Sequence, residues 1–242
     1  MVNIEDVGMH LKDMIIWVHS QGFPKGHDIG QAINKKRGKG KGDKWLGYRS
    51  CLKPAWEPIV VAEFSFEGAY YQQALRDGVS GLNIDACRIA SGGESRVQAY
   101  SGGGFHNTYG GEYVYTDKGR YPANVILEDS QEVLAGMPRN VRRLFFCPKA
   151  SKQEKRLEGG ERNRHPTVKP LKLMEYLIRM VTMPDKNKIL DPYAGSGTTG
   201  VACKRLGIRA VLVEQEEEWC EVAARRLQGC QQLPKRRSSI SR

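Results

Sequence analysis

The stretch Lys188-Ile-Leu-Asp-Pro-Tyr-Ala-Gly-Ser-Gly-Thr-Thr-Gly200 constrains the fold of this chain more than any other. Its apolar run Ile189-Leu190 ends in Asp191, which predicts a buried strand with a carboxylate at its C-terminal end. Gly195, Ser196 and Gly197 follow, and Thr198-Thr199-Gly200-Val201-Ala202 predicts the start of a helix. A second apolar run, Ala210-Val211-Leu212-Val213, ends in Glu214. The order strand, helix, strand describes a βαβ unit. Small residues at its first turn let a ligand approach the backbone, and the helix N-terminus presents free N–H groups there. In open α/β sheets, ligands bind at this edge.

An acid ending the second strand is placed to accept hydrogen bonds from ribose hydroxyls, so the unit reads as a nucleoside-cofactor site. A P-loop is disfavoured because the lysine of its pattern is absent. The spacing Gly195-x-Gly197-x-x-Gly200 matches the dinucleotide fingerprint, but that match alone is weak. An ordinary tight turn without a ligand stays open on these residues alone.

Two motifs carry a family resemblance. Asp191-Pro192-Tyr193-Ala194-Gly195-Ser196-Gly197-Thr198-Thr199 resembles motif I of amino-directed DNA methyltransferases, whose usual form is D-P-F-x-G-S-G-T-T. His165-Pro166-Thr167-Val168-Lys169-Pro170, followed by an amphipathic stretch, resembles their motif X. Motif X directly precedes motif I in the permuted arrangement called the β class, and it does so here. The resemblance implies a Rossmann-like α/β sheet, permuted, with an inserted irregular target-recognition region. It implies S-adenosylmethionine (SAM), not NAD, as cofactor and duplex DNA as partner. It assigns cofactor binding to Thr167, Lys169, Asp191, Tyr193, Gly195, Ser196, Gly197, Thr198, Thr199 and Glu214. Thr167 and Lys169 stand just before a predicted helix N-terminus, where N–H groups and a cation suit the carboxylate of the methionine half. His165 reads as a capping residue rather than a catalytic one.

Composition agrees with a polyanionic partner. The chain has 242 residues, a formal net charge of +11 and a pI near 9.4. Its length suits one α/β domain with a sizeable core. No apolar run is long enough to span a membrane, and the N-terminus lacks the charge and apolar region of a signal peptide. The six cysteines form no C-x-x-C pair and read as reduced thiols of a cytoplasmic protein without a metal site.

Four regions are expected. Residues 1–64 read as the N-terminal part of the core, with strands over Leu11–Val18 and Pro58–Phe64 and a helix over Ile29–Lys36. In the family the two strands pair as an antiparallel edge hairpin. Between them, Lys35 to Lys44 is a Gly/Lys run that reads as a mobile loop, either contacting phosphates or simply solvated. Leu52-Lys-Pro-Ala-Trp-Glu-Pro58 resembles a segment of phage and prophage members written L-K-P-A-H-E-P, with Trp56 where histidine is frequent. Residues 65–161 read as the target-recognition region, with short strands or turns near Gly81–Ile89 and Arg120–Leu127 and a buried strand over Leu144–Cys147. Residues 162–227 form the SAM-binding part. Leu171, Met174, Leu177, Ile178 and Val181 predict one helix, and Trp219, Val222, Ala223 and Leu227 another. Residues 228–242 read as a disordered basic tail.

One expected motif is absent. The family holds the target amine with a tetrapeptide [DNS]-P-P-[YFW], whose ring stacks on a flipped-out base. No such tetrapeptide occurs in this sequence, so no catalytic residue is assigned. The resemblance therefore enters the family domain partway, and the sheet is expected to be incomplete, lacking on the order of one hundred residues of a typical domain. Two functions follow. One is a site-specific methyltransferase acting on adenine N6 or cytosine N4, truncated or split, with an upstream polypeptide supplying the catalytic loop. The other is a non-catalytic DNA-binding remnant of a prophage enzyme. A dinucleotide-dependent oxidoreductase is weaker, given Pro192-Tyr193 and the motif X segment.

Overall fold

The computed structural model describes residues 2–19, 22, 24–90, 95–98, 113–116, 119–131, 135, 144–156, 160–185 and 187–231. The chain divides into two compact units: Met1–Phe64 with Asn124–Pro138, and Ser65–Ala123 with Arg139–Arg242.

The first unit is built on β1 (Met9–Val18), preceded by the short helix α1 (Val2–Asp6). Its run Met14-Ile15-Ile16-Trp17-Val18 is rich in the β-branched and aromatic residues that fit a pleated surface. Successive side chains alternate faces, and Ile15, Trp17 and His19 fall on the buried one. β2 (Trp56–Phe64) pairs with β1 antiparallel, from Met9 opposite Phe64 to Val18 opposite Trp56. The register shifts between Leu11 and Asp13. On the other side β1 pairs parallel with β5 (Val125–Leu127), whose Ile126 and Leu127 are fully buried. The expected antiparallel hairpin is thus present.

Between β1 and β2 lies α2 (Ile29–Arg37), started by Asp28, whose side chain accepts from Gln31 N–H at 2.9 Å. The Gly/Lys run after it, expected to be mobile, takes a defined turn. Asn34 Oδ1 accepts from the Gly42 N–H at 2.6 Å, and Asn34 Nδ2 donates to Asp43 at 3.1 Å. One 3₁₀ turn, Asp43–Trp45, follows. A single amide side chain reaching forward eight residues replaces the core that the run lacks.

In the second unit, α3 spans Tyr70–Asp77, and β3 (Ser95–Gln98) pairs antiparallel with β4 (Tyr113–Thr116). The rest of the glycine- and tyrosine-rich stretch expected to read DNA lies outside the described residues, as does the tail beyond residue 231. β6 is short, Phe145–Phe146. α4 (Leu171–Val181) leads to β7 (Lys188–Asp191), α5 (Thr198–Leu206), β8 (Arg209–Leu212) and α6 (Glu217–Gln228). β7 and β8 pair parallel, Lys188 opposite Arg209 through Asp191 opposite Leu212, so the predicted βαβ unit forms.

Its core joins Ile178 of α4 to Ala202 and Cys203 of α5, with Leu171, Met174, Ile189, Leu206, Ile208 and Ala210 around them. α4 is buried more widely than its apolar spacing predicted. Leu173, Tyr176 and Met180 are buried too, whereas Val181 is exposed. The second stripe forms because a 3₁₀ turn, Asp85–Cys87, lies along α4: Asn83 N–H donates to the Met180 carbonyl at 2.8 Å, and Cys87 Sγ to that of Tyr176. Phe145 stacks on the Tyr176 ring at 4.1 Å. The outer face of β7 and β8 presents Leu190, Val211 and Val213, all exposed. Among the described residues, no helix is long and apolar enough to cross a membrane.

Asn34→Ala removes both bonds that fold the turn back on α2. At about 1 kcal/mol per hydrogen bond, the turn is expected to loosen by about 2 kcal/mol. Amide hydrogen exchange at Gly42 should then accelerate roughly thirtyfold, while exchange within β1 stays as in the parent.

Candidate functional site

The site is the turn from β7 to α5. Pro192 follows Asp191, so this residue stays extended and its carboxylate remains free to turn over the loop. Asp191 Oδ1 accepts from Tyr193 N–H at 3.0 Å, and Oδ2 accepts from the Thr199 hydroxyl at 2.5 Å. The strand end is tied across to β8: Val213 N–H donates to the Asp191 carbonyl and Ala194 N–H to the Val213 carbonyl, each at 2.9 Å.

Glu214 completes the lacing. Its Oε2 accepts from Gly195 N–H at 2.7 Å, and Oε1 accepts from Gln215 N–H at 3.0 Å and Glu216 N–H at 3.2 Å. These backbone donors favour the charged form. The Glu216 N–H, then the Gly195 N–H, hold the Glu214 carboxyl below its ordinary value.

Gly195 and Gly197 both take positive φ, 52° and 75°. A side chain is also excluded by space. A Cβ on Gly195 would meet His165 Nε2 at 2.8 Å, and one on Gly197 would meet the Cβ of Ala223 at 2.7 Å. The turn is therefore closed on two sides, by the motif X histidine and by α6. His165 stands edge-on to Trp219 at 4.8 Å. Its backbone N–H donates to Asn163 Oδ1, and its Nδ1 accepts from Thr167 N–H at 3.4 Å. Burial lowers its pKa most, Glu214 opposes that, and Arg226 adds to it.

Arg226 is the residue that helical spacing missed. Its side chain is buried, and Nη1 donates to the Ser196 carbonyl at 2.6 Å, Ser196 Oγ at 3.1 Å and Thr198 Oγ1 at 3.0 Å. Burial pulls its pKa down from the usual arginine value. The available signal was Arg226 three residues after Ala223, one turn further on the face of α6 that meets the loop.

The other predicted residues divide. Ser196, Gly197, Thr198 and Thr199 are buried at the start of α5, and the Ser196, Thr198 and Thr199 N–H groups have no acceptor among the described residues. N–H groups without partners at a helix start suit an anion or a ligand oxygen. Tyr193 is 90% exposed beside them. Thr167 and Lys169 lie before α4 as expected, but the first N–H of α4 is already engaged. Leu171 N–H donates to Glu154 Oε1 at 2.9 Å, and Glu154 Oε2 accepts from Ser151 N–H at 2.7 Å. A carboxylate of the chain itself thus takes one of the N–H groups at that helix end. No group of His, Cys, Asp and Glu among the described residues has the arrangement of a metal site.

The family model for N6/N4 methyltransferases, described as DNA methylase, matches residues 1–225. The chain is 45% identical over 65 residues to the Type II methyltransferase M2.DpnII of Streptococcus pneumoniae, covering 27% of this chain and 24% of that protein. It is 42% identical over 64 residues to M2.LlaDCHI of Lactococcus lactis subsp. cremoris, covering 26% and 23%. Among solved structures it is similar to the cytosine-N4-specific PvuII DNA methyltransferase, with 19% identity and a TM-score of 0.44 over 92% of this chain and 53% of that one. The matches thus span about a quarter of the curated relatives and about half of that structure.

Arg226→Met leaves the Ser196 carbonyl and two hydroxyls without their donor. It is expected to destabilise the chain by about 2–4 kcal/mol in denaturant unfolding, as for lost bonds to a buried charged group. Arg226→Lys keeps the charge but loses the planar, longer guanidinium, and is expected to recover only part of that. Glu214 gives a pH signature. Its folded pKa is depressed, so its contribution is present above the unfolded value and is lost as pH falls through the folded one. The stability gap between the parent and Glu214→Gln should therefore be open at pH 7 and close on acidification below about pH 4.

Proposed function

The chain belongs to the N6/N4 DNA methylase family, and we propose that it carries the SAM site and DNA-facing surfaces of a site-specific methyltransferase. The target would be an exocyclic amine, adenine N6 or cytosine N4, in duplex DNA of the cytoplasm. The observation that carries this reading is the pair of strand-end carboxylates, Asp191 and Glu214, laced through one glycine turn to the start of α5.

The residues present fit a nucleoside sulfonium. A carboxylate offers about four lone-pair sites, and backbone donors take three on Glu214, leaving one on Oε2 for a ribose hydroxyl. The low pKa keeps this group an acceptor at neutral pH. The unpartnered N–H groups of Ser196, Thr198 and Thr199 provide donors for ligand oxygens, and the exposed Tyr193 ring provides a stacking face. Lys169 and Thr167 would take the methionine end, with Glu154 giving up Leu171 N–H or sharing its helix end. When bound, SAM supplies a methyl group activated by its sulfonium. The chain's own share is to bind the nucleoside, hold the turn rigid through Arg226 and exclude side chains at Gly195 and Gly197.

An exocyclic amine is a weak nucleophile because its lone pair is delocalised into the ring. Accepting its hydrogens is the work of the tetrapeptide [DNS]-P-P-[YFW], which these 242 residues do not contain. We assign that step to a loop that lies outside these residues, one candidate being an upstream-encoded polypeptide. The alternative reading is a DNA-binding remnant that transfers no methyl group.

Glu214→Gln should weaken SAM binding about tenfold in titration calorimetry, as for a lost hydrogen bond to a charged group. Equal affinity would place the ribose elsewhere. Labelled methyl should pass from SAM to unmethylated DNA in a mixture of this chain with the polypeptide encoded just upstream. Transfer by this chain alone would point to a different catalytic loop within it. DNA binding without transfer in either case would establish the remnant.

A further inference from the structure

We propose that the turn between α2 and β2 is a dedicated clamp on the sugar–phosphate backbone of duplex DNA, separate from the glycine turn. The choice of DNA over another polyanion rests on the function proposed above; the surface itself rests on its own geometry. Residues 25–53 carry nine Lys and Arg against two Asp, a surplus of seven within the chain's +11.

Both acids are already used inside the segment. Asp28 caps α2 and faces Arg49 at 3.4 Å, and Asp43 accepts from Asn34. Lys35, Lys36, Arg37, Lys39 and Lys41 are all exposed and have no acidic partner among the described residues. The last turn of α2 accounts for some of this charge, since cations there offset the helix dipole. Lys39 and Lys41 lie beyond the helix and do not serve it. Uncompensated cations repel one another, so a surface that concentrates them costs stability unless an anion covers it.

Two further observations separate this turn from a solvated charge run. First, it is fixed: Gly38 N–H returns to the Asn34 carbonyl at 3.0 Å, Gly42 N–H to the Asn34 side chain at 2.6 Å, and Trp45 N–H to the Gly42 carbonyl at 2.9 Å. Charges on a fixed backbone lose less entropy on binding than charges on a free tail. Second, the turn ends in an exposed aromatic pair. Trp45 and Tyr48 meet edge-on at 5.3 Å, and Lys44 Nζ lies 5.9 Å above the Trp45 ring. Exposed rings beside unpaired cations match a DNA backbone, which alternates anionic phosphates with apolar deoxyribose edges. Contacts of this kind position a protein on DNA without reading sequence.

The test measures binding of a fluorescent 20-base-pair duplex to the full chain across a salt series. The comparison is a variant with Lys35, Lys36, Arg37, Lys39 and Lys41 all changed to Gln. Each lost phosphate contact should flatten the slope of log K against log salt by about 0.9. The variant is expected to lose at least three such steps and at least tenfold in affinity at 0.1 M salt, with SAM binding unchanged. The double variant Trp45→Ala, Tyr48→Ala should lose affinity with no change of slope. A parent slope retained in the quintuple variant overturns the clamp while leaving the methyltransferase reading intact. A parent chain with no salt-dependent DNA affinity overturns both. Binding to phosphatidylserine vesicles that needs these five cations, with DNA affinity unaffected by them, overturns the clamp in favour of a lipid surface.

Discussion

The guanidinium of Arg226 fixes the geometry on which the rest of the site depends. A glycine turn between a strand and a helix has little side-chain packing to hold it. Arg226 Nη1 directs its two hydrogens at three acceptors, the Ser196 carbonyl and the Ser196 and Thr198 hydroxyls. Burying an arginine is costly unless its donors find acceptors, and here three acceptors of the turn meet Nη1. The same face of α6 places Ala223 against Gly197, so small and charged residues one turn apart act on one loop. This also explains why the turn tolerates no Cβ at that point: the helix that braces it stands where the side chain would go.

Two carboxylates brace the turn from the other side. Asp191 holds Tyr193 N–H and the Thr199 hydroxyl, and Glu214 holds three backbone N–H groups. Both therefore shape the chain before any ligand arrives. That arrangement has a functional consequence. Glu214, held by backbone N–H groups that lower its pKa, is ionised and oriented, so it meets a hydroxyl without first having to reorganise. It also means that a variant of Glu214 changes loop geometry together with ligand contact, and an isosteric amide separates the two better than truncation.

The first unit shows the same economy on a surface. Its sheet is ordered by the alternation of Ile15, Trp17 and His19 toward the buried face. The Gly/Lys run between its strands has no apolar residues to bury, yet Asn34 gives it one conformation. Local composition suggested a mobile run, but one side chain eight residues away supplies bonds that define its turn.

Much of the fold was legible in the sequence where pattern and period are local. The run Ile189–Asp191, the glycines and Ala210–Glu214 determined a βαβ unit with acids at its strand ends. Apolar spacing located α4 and α6 to within a residue or two, and β-branched runs located β1 and β2. What the sequence did not determine involves contacts between elements far apart in the chain. The second buried stripe of α4 needed the 3₁₀ turn at Asp85–Cys87 and the ring of Phe145 to lie against it. Glu154 at the head of α4 and Arg226 over the glycine turn are charged residues in helical or polar surroundings, and by period alone they belong to solvent. Only the tertiary structure decided otherwise, because a charge is stable away from water only where specific partners converge on it, and that convergence has no signature in sequence spacing.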